Sequence, residues 1–113
     1  MARMNAREFE QQVRDICANS SLVVQINVLS ESIEHIQLRI LLTDLSFLDI
    51  YYHQVSGKTS YAQILDNRRI FGADNKRRFW HWHPREDPSQ HIEAEREITF
   101  EEFLEEIEKA IQS

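Results

Sequence analysis

The stretch HIQLRILLTDLSFLDIYYHQV, residues 35–55, decides the fold of this chain. Each half of it places apolar side chains at every second position: Ile36, Leu38, Ile40 and Leu42, then Leu48, Ile50 and Tyr52. A period of two is typical of strands that bury one face. Thr43-Asp44 lies between the two halves, so the stretch predicts two antiparallel strands joined by a turn.

The same period continues on both sides of this stretch. Residues 22–29 predict an earlier strand whose buried side carries Val24, Ile26 and Val28. The loop Ser56-Gly57-Lys58 leads into a strand at 59–65, because Gly accepts the positive φ that hairpin loops require. Residues 78–83 add a fifth strand. Successive strands without intervening helices predict an antiparallel meander.

A helix is predicted at each end of this sheet. Residues 5–19 repeat apolar side chains at helical spacing and begin with a capping box, Asn5 with Glu8. Thr99 and Glu102 form a second capping box, before a helix whose apolar face carries Phe100, Phe103, Leu104, Ile107 and Ile111. The sequence therefore predicts one α+β domain over residues 1–113, with about five strands between two helices.

Composition restricts the function classes. The 113 residues carry a formal net charge of −6, which disfavours a general affinity for nucleic acid. The central stretch is nevertheless basic, with Arg68, Arg69, Lys76, Arg77, Arg78 and Arg85. Cys17 is the single cysteine, so no disulfide forms within the chain, and a packing role is expected for it. No apolar run is long enough to cross a bilayer, and we expect a cytoplasmic protein without a membrane partner.

The candidate site is GADNKRRFWHWHP, residues 72–84, together with His91. On a strand over 78–83, Arg78, Trp80 and Trp82 would point to one side, and Phe79, His81 and His83 to the other. The two imidazoles would then leave one face roughly 7 Å apart at the backbone. Asp74 and Asn75 are expected in a turn at 72–75, where the carboxylate could orient a ring nitrogen.

Ordinary structural roles compete with a functional one for each of these residues. A His-x-His pair on a strand is often solvated, tryptophans are often core anchors, and three consecutive cations often form an exposed turn. His35 and His53 are expected on the polar surface of the sheet. The concentration of unusual residues within about a dozen positions favours a site at 72–84.

The Asp74-Asn75 pair, the His81-x-His83 strand and an acidic final helix containing Phe103 resemble the TumE type of small toxin proteins from prokaryotic toxin–antitoxin pairs. The resemblance covers residues 60–111. The chain differs at Ala73, where that family usually has Tyr, and at 77–80, where it usually has a Gly-rich spacer. The resemblance implies a toxin-like protein that a partner antitoxin neutralises and that acts on RNA or on the translation machinery.

Three functions remain open from the sequence. In the first, an RNA-cleaving enzyme uses His81 and His83 as acid and base and Asp74 to orient one of them. Its substrate would be bound by Asn75, Arg77, Arg78, Trp80 and Trp82. In the second, the chain is a non-enzymatic interaction module that pairs through a strand edge with another protein or as a homodimer. In the third, a divalent metal is held by His81, His83, His91 and Asp74, although no cofactor is required by the first two.

Overall fold

The computed structural model describes residues 3–112, apart from the side chain of Arg77. Its elements are α1 Ala6–Ala18, β1 Val23–Glu31, β2 His35–Leu42, β3 Phe47–His53, β4 Thr59–Leu65, β5 Arg68–Asp74, β6 His81–His83, β7 Ile92–Glu93 and α2 Phe100–Gln112. A short 3-10 turn, Lys76–Arg78, connects β5 to β6. Strands adjacent in sequence are adjacent in one antiparallel sheet. The predicted α+β class, with a meander between two helices, is confirmed.

The expected number of about five strands is wrong, because the sheet has seven. The hairpin from β4 to β5 was missed. It turns at Asp66 and Asn67, whose φ angles of 52° and 63° are both positive. Two-residue hairpin loops need this backbone, and Asp and Asn adopt it more readily than most residues other than Gly. The second missed strand is β7, a two-residue edge beside β6.

Both helices lie on one face of the sheet. Phe9 of α1 stacks on Tyr52 of β3 with ring centroids 4.4 Å apart, and Phe103 of α2 stacks on Phe71 of β5 at 5.1 Å. The buried residues of β2 and β3 are those that the alternation predicts: Ile36, Leu38, Ile40, Leu42, Leu48, Ile50 and Tyr52. Each such burial contributes about 1.5–3 kcal/mol, so this face holds the core.

Both predicted capping boxes are present. Glu8 N donates to Asn5 Oδ1 at 2.8 Å, and Asn5 N donates to Glu8 Oε1 at 2.9 Å. At the start of α2, Glu102 N donates to Thr99 Oγ1 at 3.1 Å. These bonds satisfy backbone N–H groups that have no partner within the helix. Within residues 3–112, no helix is long and apolar enough to cross a membrane.

The prediction for the first strand is wrong in its burial. Val24 and Val28, expected to point into the core, are 62% and 40% exposed. The register of β1 shifts between Val23 and Gln25 and again between Val28 and Ser30, which interrupts the alternation of its faces. In addition, β1 is an edge strand, so its side chains have cross-strand neighbours on one side only.

The predicted strand at 78–83 is shorter than expected. Arg78 ends the 3-10 turn with a φ of 72°, a left-handed conformation that breaks an extended chain, and β6 begins only at His81. The expected turn at 72–75 is also wrong, because Asp74 is the last residue of β5. The carboxylate is therefore held on a strand next to β6.

Candidate functional site

A buried imidazole and a carboxylate form the centre of the candidate site. His83 is 2% exposed, and its Nε2 lies 2.7 Å from Asp74 Oδ2. Gly72 pairs with His83 across the two strands, and Asp74 pairs with His81. Asp74 and His83 are therefore diagonal neighbours on one face of the sheet, a separation that long side chains can bridge.

The other ring nitrogen of His83 is bonded as well. Its Nδ1 lies 3.1 Å from the carbonyl oxygen of Gln90, whereas Arg69 Nη2 is at the longer distance of 3.5 Å. Because a carboxylate and a carbonyl can only accept, a ring with protons on both nitrogens donates to both. In that state the ring and Asp74 form a charge-assisted pair. This arrangement fixes His83 and shields it from solvent.

Asp74 is ionised more easily than an ordinary carboxyl group. Burial opposes its charge, but hydrogen bonds from His83 and from the backbone N–H of Lys76 favour it, as do the charges of His83 and Arg69. The balance lowers the pKa of Asp74 below its ordinary value of 3.8. Asp74 is therefore a carboxylate at neutral pH, with one oxygen on His83 and the other on the 3-10 turn.

Two further imidazoles complete the cluster. The ring of His91 lies 4.6 Å from the ring of His83 and 5.8 Å from that of His81, in edge-to-face contacts. His81 is half-buried and His91 is exposed. His81 and His83 thus lie on the same side of β6, as their alternation predicts. The sequence predicts His91 only as a metal ligand, whereas in the structure its ring lies against the rings of both His81 and His83.

The cluster lies on the sheet face that the two helices leave open. Trp82, between the two histidines, points to the helix side and stacks on Phe71 with centroids 5.6 Å apart. The connection from β6 to β7 covers this corner, since the carbonyl of Gln90 binds His83 and that of Pro88 accepts from Arg69 Nη2 at 2.9 Å. His83 is buried by that connection rather than by the core.

The residues predicted to bind substrate are distributed differently. Trp82 packs against the core, and Trp80 stacks on Tyr61 at 5.7 Å. The Asn75 side chain accepts from Thr59 N and donates to the Gly57 carbonyl, both at 2.8 Å. Arg78 is exposed, while the side chain of Arg77 lies outside the described part of the structure. Among the described side chains of this set, Arg78 and the accessible parts of Trp80 and Trp82 remain available to a ligand.

The four residues predicted as metal ligands meet, but not around one point. Asp74 and His83 direct their polar atoms at each other. Within residues 3–112, no three His, Cys, Asp or Glu side chains are arranged to hold a metal ion. The arrangement of this cluster is that of a hydrogen-bonded pair next to two stacked rings.

Arg69 and Gln90 were not predicted as part of the site. Arg69 reaches it because β5 is a strand beside β6, and that strand was missed. Gln90 enters through its backbone carbonyl, for which the identity of the side chain gives no signal. The Asp66-Asn67 pair was the usable clue, since such dipeptides mark hairpin turns.

Searches of protein-family models, of curated proteins and of solved structures find no match to this chain. The resemblance to TumE-type toxins therefore stays a prediction from short motifs.

Proposed function

We propose that this chain is a cytoplasmic, TumE-like toxin of a toxin–antitoxin pair that cleaves RNA with the histidines of its open sheet face. The observation that supports this most is the meeting of His81, His83 and His91 beside the buried carboxylate of Asp74. Imidazoles exchange protons near neutral pH, and a pair of them can serve as acid and base in one reaction.

His81 and His91 are the groups that would touch the substrate. One neutral ring takes the proton of a ribose 2′-hydroxyl, whose oxygen attacks the adjacent phosphorus. The other ring, as imidazolium, gives its proton to the departing 5′-oxygen. One P–O bond forms, one breaks, and the proton count of the two rings is unchanged. The products are a 2′,3′-cyclic phosphate and a 5′-hydroxyl end.

His83 would act as a positioning residue in this reaction. Both of its nitrogens are bonded within the chain, so it cannot exchange a proton with a substrate without breaking one of these bonds. Its contact with His91 holds that ring in place, and the hydrogen bond to Asp74 fixes the orientation of His83.

The test is cleavage of a short RNA by the purified protein. We expect a 2′,3′-cyclic phosphate product by mass spectrometry, and no cut when the ribose at the scissile position is 2′-deoxy. The double variant His81→Ala/His91→Ala should lose at least about 100-fold in rate, since each proton transfer typically contributes that much. Its melting temperature should stay close to that of the wild type, because neither ring belongs to the core.

His35→Ala is the matched control for these variants. His35 lies at the start of β2, several strands from the cluster, and bonds to Ser30 and Ser32. It should leave cleavage unchanged. Full activity in the double variant, or cutting at a 2′-deoxy position, would overturn the proposed chemistry.

The toxin assignment has its own test. Expression of the wild type should arrest growth, the double variant should not, and co-expression of the product of the adjacent gene should restore growth and copurify in a fixed ratio. Growth arrest that persists in the double variant would separate toxicity from the histidines.

An interaction module is the second candidate function, and one observation favours it. The edge strand β1 exposes Val24, Val28 and Leu29, with exposures of 62%, 40% and 44%. Such an edge can pair with a strand of another protein or of a second copy. The module is favoured over the enzyme if a partner protein copurifies in a fixed ratio with the wild type, does not copurify with the Val28→Lys variant, and the wild type has no nuclease activity.

A further inference from the structure

A basic cavity opens at the end of the sheet where β5 stops. Its volume is about 600 Å³, and its wall includes Arg3, Lys58, Asn75, Lys76, Arg78 and Trp80. These residues come from the N-terminal segment, from the loop between β3 and β4 and from residues 75–80, which contain the 3-10 turn. None of the three segments would suggest a site by itself.

The charge of this cavity is opposite to that of the whole chain. Four cations line it, together with a single carboxylate, Glu97, whereas the protein has a formal net charge of −6. Among the ion pairs of the described residues, none involves Arg3, Lys58, Lys76 or Arg78. Cations gathered without carboxylate partners attract an anion.

The cavity is held in shape by bonds within the chain. The Asn75 amide bridges Thr59 N and the Gly57 carbonyl, which fixes the β3–β4 loop to the end of β5. Arg3 Nη1 donates to the Gln54 carbonyl at 3.1 Å, and its guanidinium carbon would lie 2.9 Å from a Cβ at position 57. Gly57 therefore leaves room for the guanidinium.

Arg78 is presented by an unusual backbone. Its φ of 72° is left-handed, a conformation that costs an L-residue of this size about 1 kcal/mol or more. Such conformations concentrate at ligand sites, and here it ends the 3-10 turn with an exposed cation. The indole of Trp80 forms another part of the wall, fixed by its stack on Tyr61.

One carboxylate connects the cavity to the histidine cluster. Asp74 Oδ1 accepts from Lys76 N at 3.0 Å, and Asp74 Oδ2 lies 2.7 Å from His83 Nε2. Lys76 lines the cavity and His83 contacts His91. Trp80 of the cavity wall stacks on Tyr61 on the helix side of the sheet, whereas the cluster lies on the open face, so a strand that reaches both would pass around the end of β5.

We infer that this cavity is a phosphate subsite for the RNA strand whose cleavage we propose at the cluster. Its cations take a phosphate of the backbone, and Trp80 offers an aromatic face to a neighbouring base. The volume lies within the range of about 300–1,000 Å³ that is usual for small-ligand sites. The inference rests on the proposed function, since it takes RNA as the ligand.

Binding of a strand that cannot be cut tests the subsite separately from catalysis. The probe is a short 2′-O-methyl RNA with a 3′ fluorophore, followed by anisotropy at several salt concentrations. The triple variant Lys58→Gln/Lys76→Gln/Arg78→Gln should weaken Kd about tenfold or more and lower the salt slope by about 0.7 per lost phosphate contact. The matched control Arg7→Gln/Arg68→Gln/Lys109→Gln removes the same charge elsewhere and should change Kd less than about twofold.

Competition identifies the source of the phosphate. Unlabelled strand should displace the probe far better than a nucleoside 5′-monophosphate or inorganic phosphate. Displacement by the small anions at equal or lower concentration would overturn the RNA assignment. Equal weakening by the two triple variants, or no binding of the strand at all, would overturn the subsite.

The two proposals fail in different ways. The His81→Ala/His91→Ala variant should cleave at least about 100-fold more slowly, and neutralising Lys58, Lys76 and Arg78 in that variant should still weaken probe binding about tenfold or more. A wild type that binds through the cavity but never cuts RNA would contradict the proposed chemistry and leave the subsite intact. Full cleavage activity in the triple variant Lys58→Gln/Lys76→Gln/Arg78→Gln would contradict the subsite alone.

Discussion

Asp74 and His83 bond across neighbouring strands, with Oδ2 and Nε2 separated by 2.7 Å and by nine positions of sequence. His83 is almost completely buried, and the carboxylate beside it is mostly so. Asp74, at the end of β5, also accepts from the backbone N–H of Lys76, which lines the basic cavity, and His83 contacts the ring of His91. The strength of the pair therefore affects the stability of the fold and the geometry of both proposed sites.

Replacement of Asp74 by Asn should lower the free energy of unfolding at pH 7 by about 1.5–3 kcal/mol, the usual contribution of a hydrogen bond to a charged group. Because the folded-state pKa of Asp74 is lowered, this contribution is present above the ordinary value of 3.8 and is lost as the pH falls through the lower folded value. The difference between wild type and variant should therefore shrink in acid. Urea unfolding at several pH values measures it.

Asp66→Asn is the control for this experiment. It makes the same chemical change at an exposed turn residue. The backbone at Asp66 is left-handed, and Asn also adopts this conformation readily. The loss of unfolding free energy caused by Asp74→Asn should not stay constant down to the lowest pH, and it should exceed the loss caused by Asp66→Asn. Either of the opposite results would contradict the pairing of Asp74 with His83.

The thiol of Cys17 should be inert in the folded protein. Burial raises its pKa to about 11, against a smaller opposing effect of Arg14, and only 3% of the residue is exposed. A thiol-specific reagent at pH 8 should label native protein far more slowly than protein in guanidinium chloride. Labelling at equal rates in both would show that α1 does not cover this residue as described.

The central sheet and both helices could be predicted because their signals are local. Alternation identified Ile36 to Leu42 and Leu48 to Tyr52, and each helix carries a capping box written in four residues. Burial at β1 could not be predicted the same way. Val24 alternates like a buried residue, but whether a strand lies at an edge depends on the order of the strands.

The histidine cluster was predicted in part for a similar reason. The common side of His81 and His83 follows from spacing alone, and it is observed. The roles of Arg69 and Gln90 depend on β5 and on the path of the connection after β6, which spacing does not determine. His91 contacts both rings because that connection folds back, a long-range property of the chain.

Phe103 is the residue on which the packing of α2 depends most. It is fully buried, and its ring lies 5.1 Å from that of Phe71 and 5.2 Å from that of Tyr61. Phe103→Ala should lower the free energy of unfolding by about 3–5 kcal/mol, since it removes the ring and leaves a cavity. The neighbouring Glu105→Ala, at an exposed position of the same helix, should stay within about 0.5 kcal/mol. Comparable losses at both positions would contradict this packing.

The stability of the hairpin between β4 and β5 should depend on how well residue 67 tolerates a positive φ, since Asn67 has a φ of 63°. Asn67→Gly should keep or raise the stability, whereas Asn67→Val should lower it by about 1–2 kcal/mol, because a β-branched residue is strained in the left-handed region. Arg68→Val introduces the same side chain one residue later, at an exposed strand position, and should be nearly neutral. Thermal unfolding of the three variants compares them, and a neutral Asn67→Val would indicate a different turn.

Asn75 should act on stability even without any ligand, although the sequence predicted it as a substrate-binding residue. Both groups of its amide are used inside the chain, on Thr59 N and on the Gly57 carbonyl. Asn75→Ala removes the side-chain acceptor of Thr59 N and leaves the Gly57 carbonyl with its bond from Thr59 Oγ1, so it should lower the free energy of unfolding by about 1–3 kcal/mol. The measurement is urea unfolding of the protein free of RNA.

Asn27→Ala is the matched change, because the amide of Asn27 accepts only from the exposed Gln25 side chain, and it should stay within about 0.5 kcal/mol. Loss of the Asn75 amide should also loosen the β3–β4 loop that carries Lys58, so RNA binding should weaken together with stability. An Asn75→Ala protein that unfolds like the wild type but binds RNA poorly would instead make Asn75 a direct ligand of the substrate. If stability and RNA binding fall together, Asn75 supports the cavity wall. If RNA binding falls and stability does not, Asn75 contacts the RNA directly.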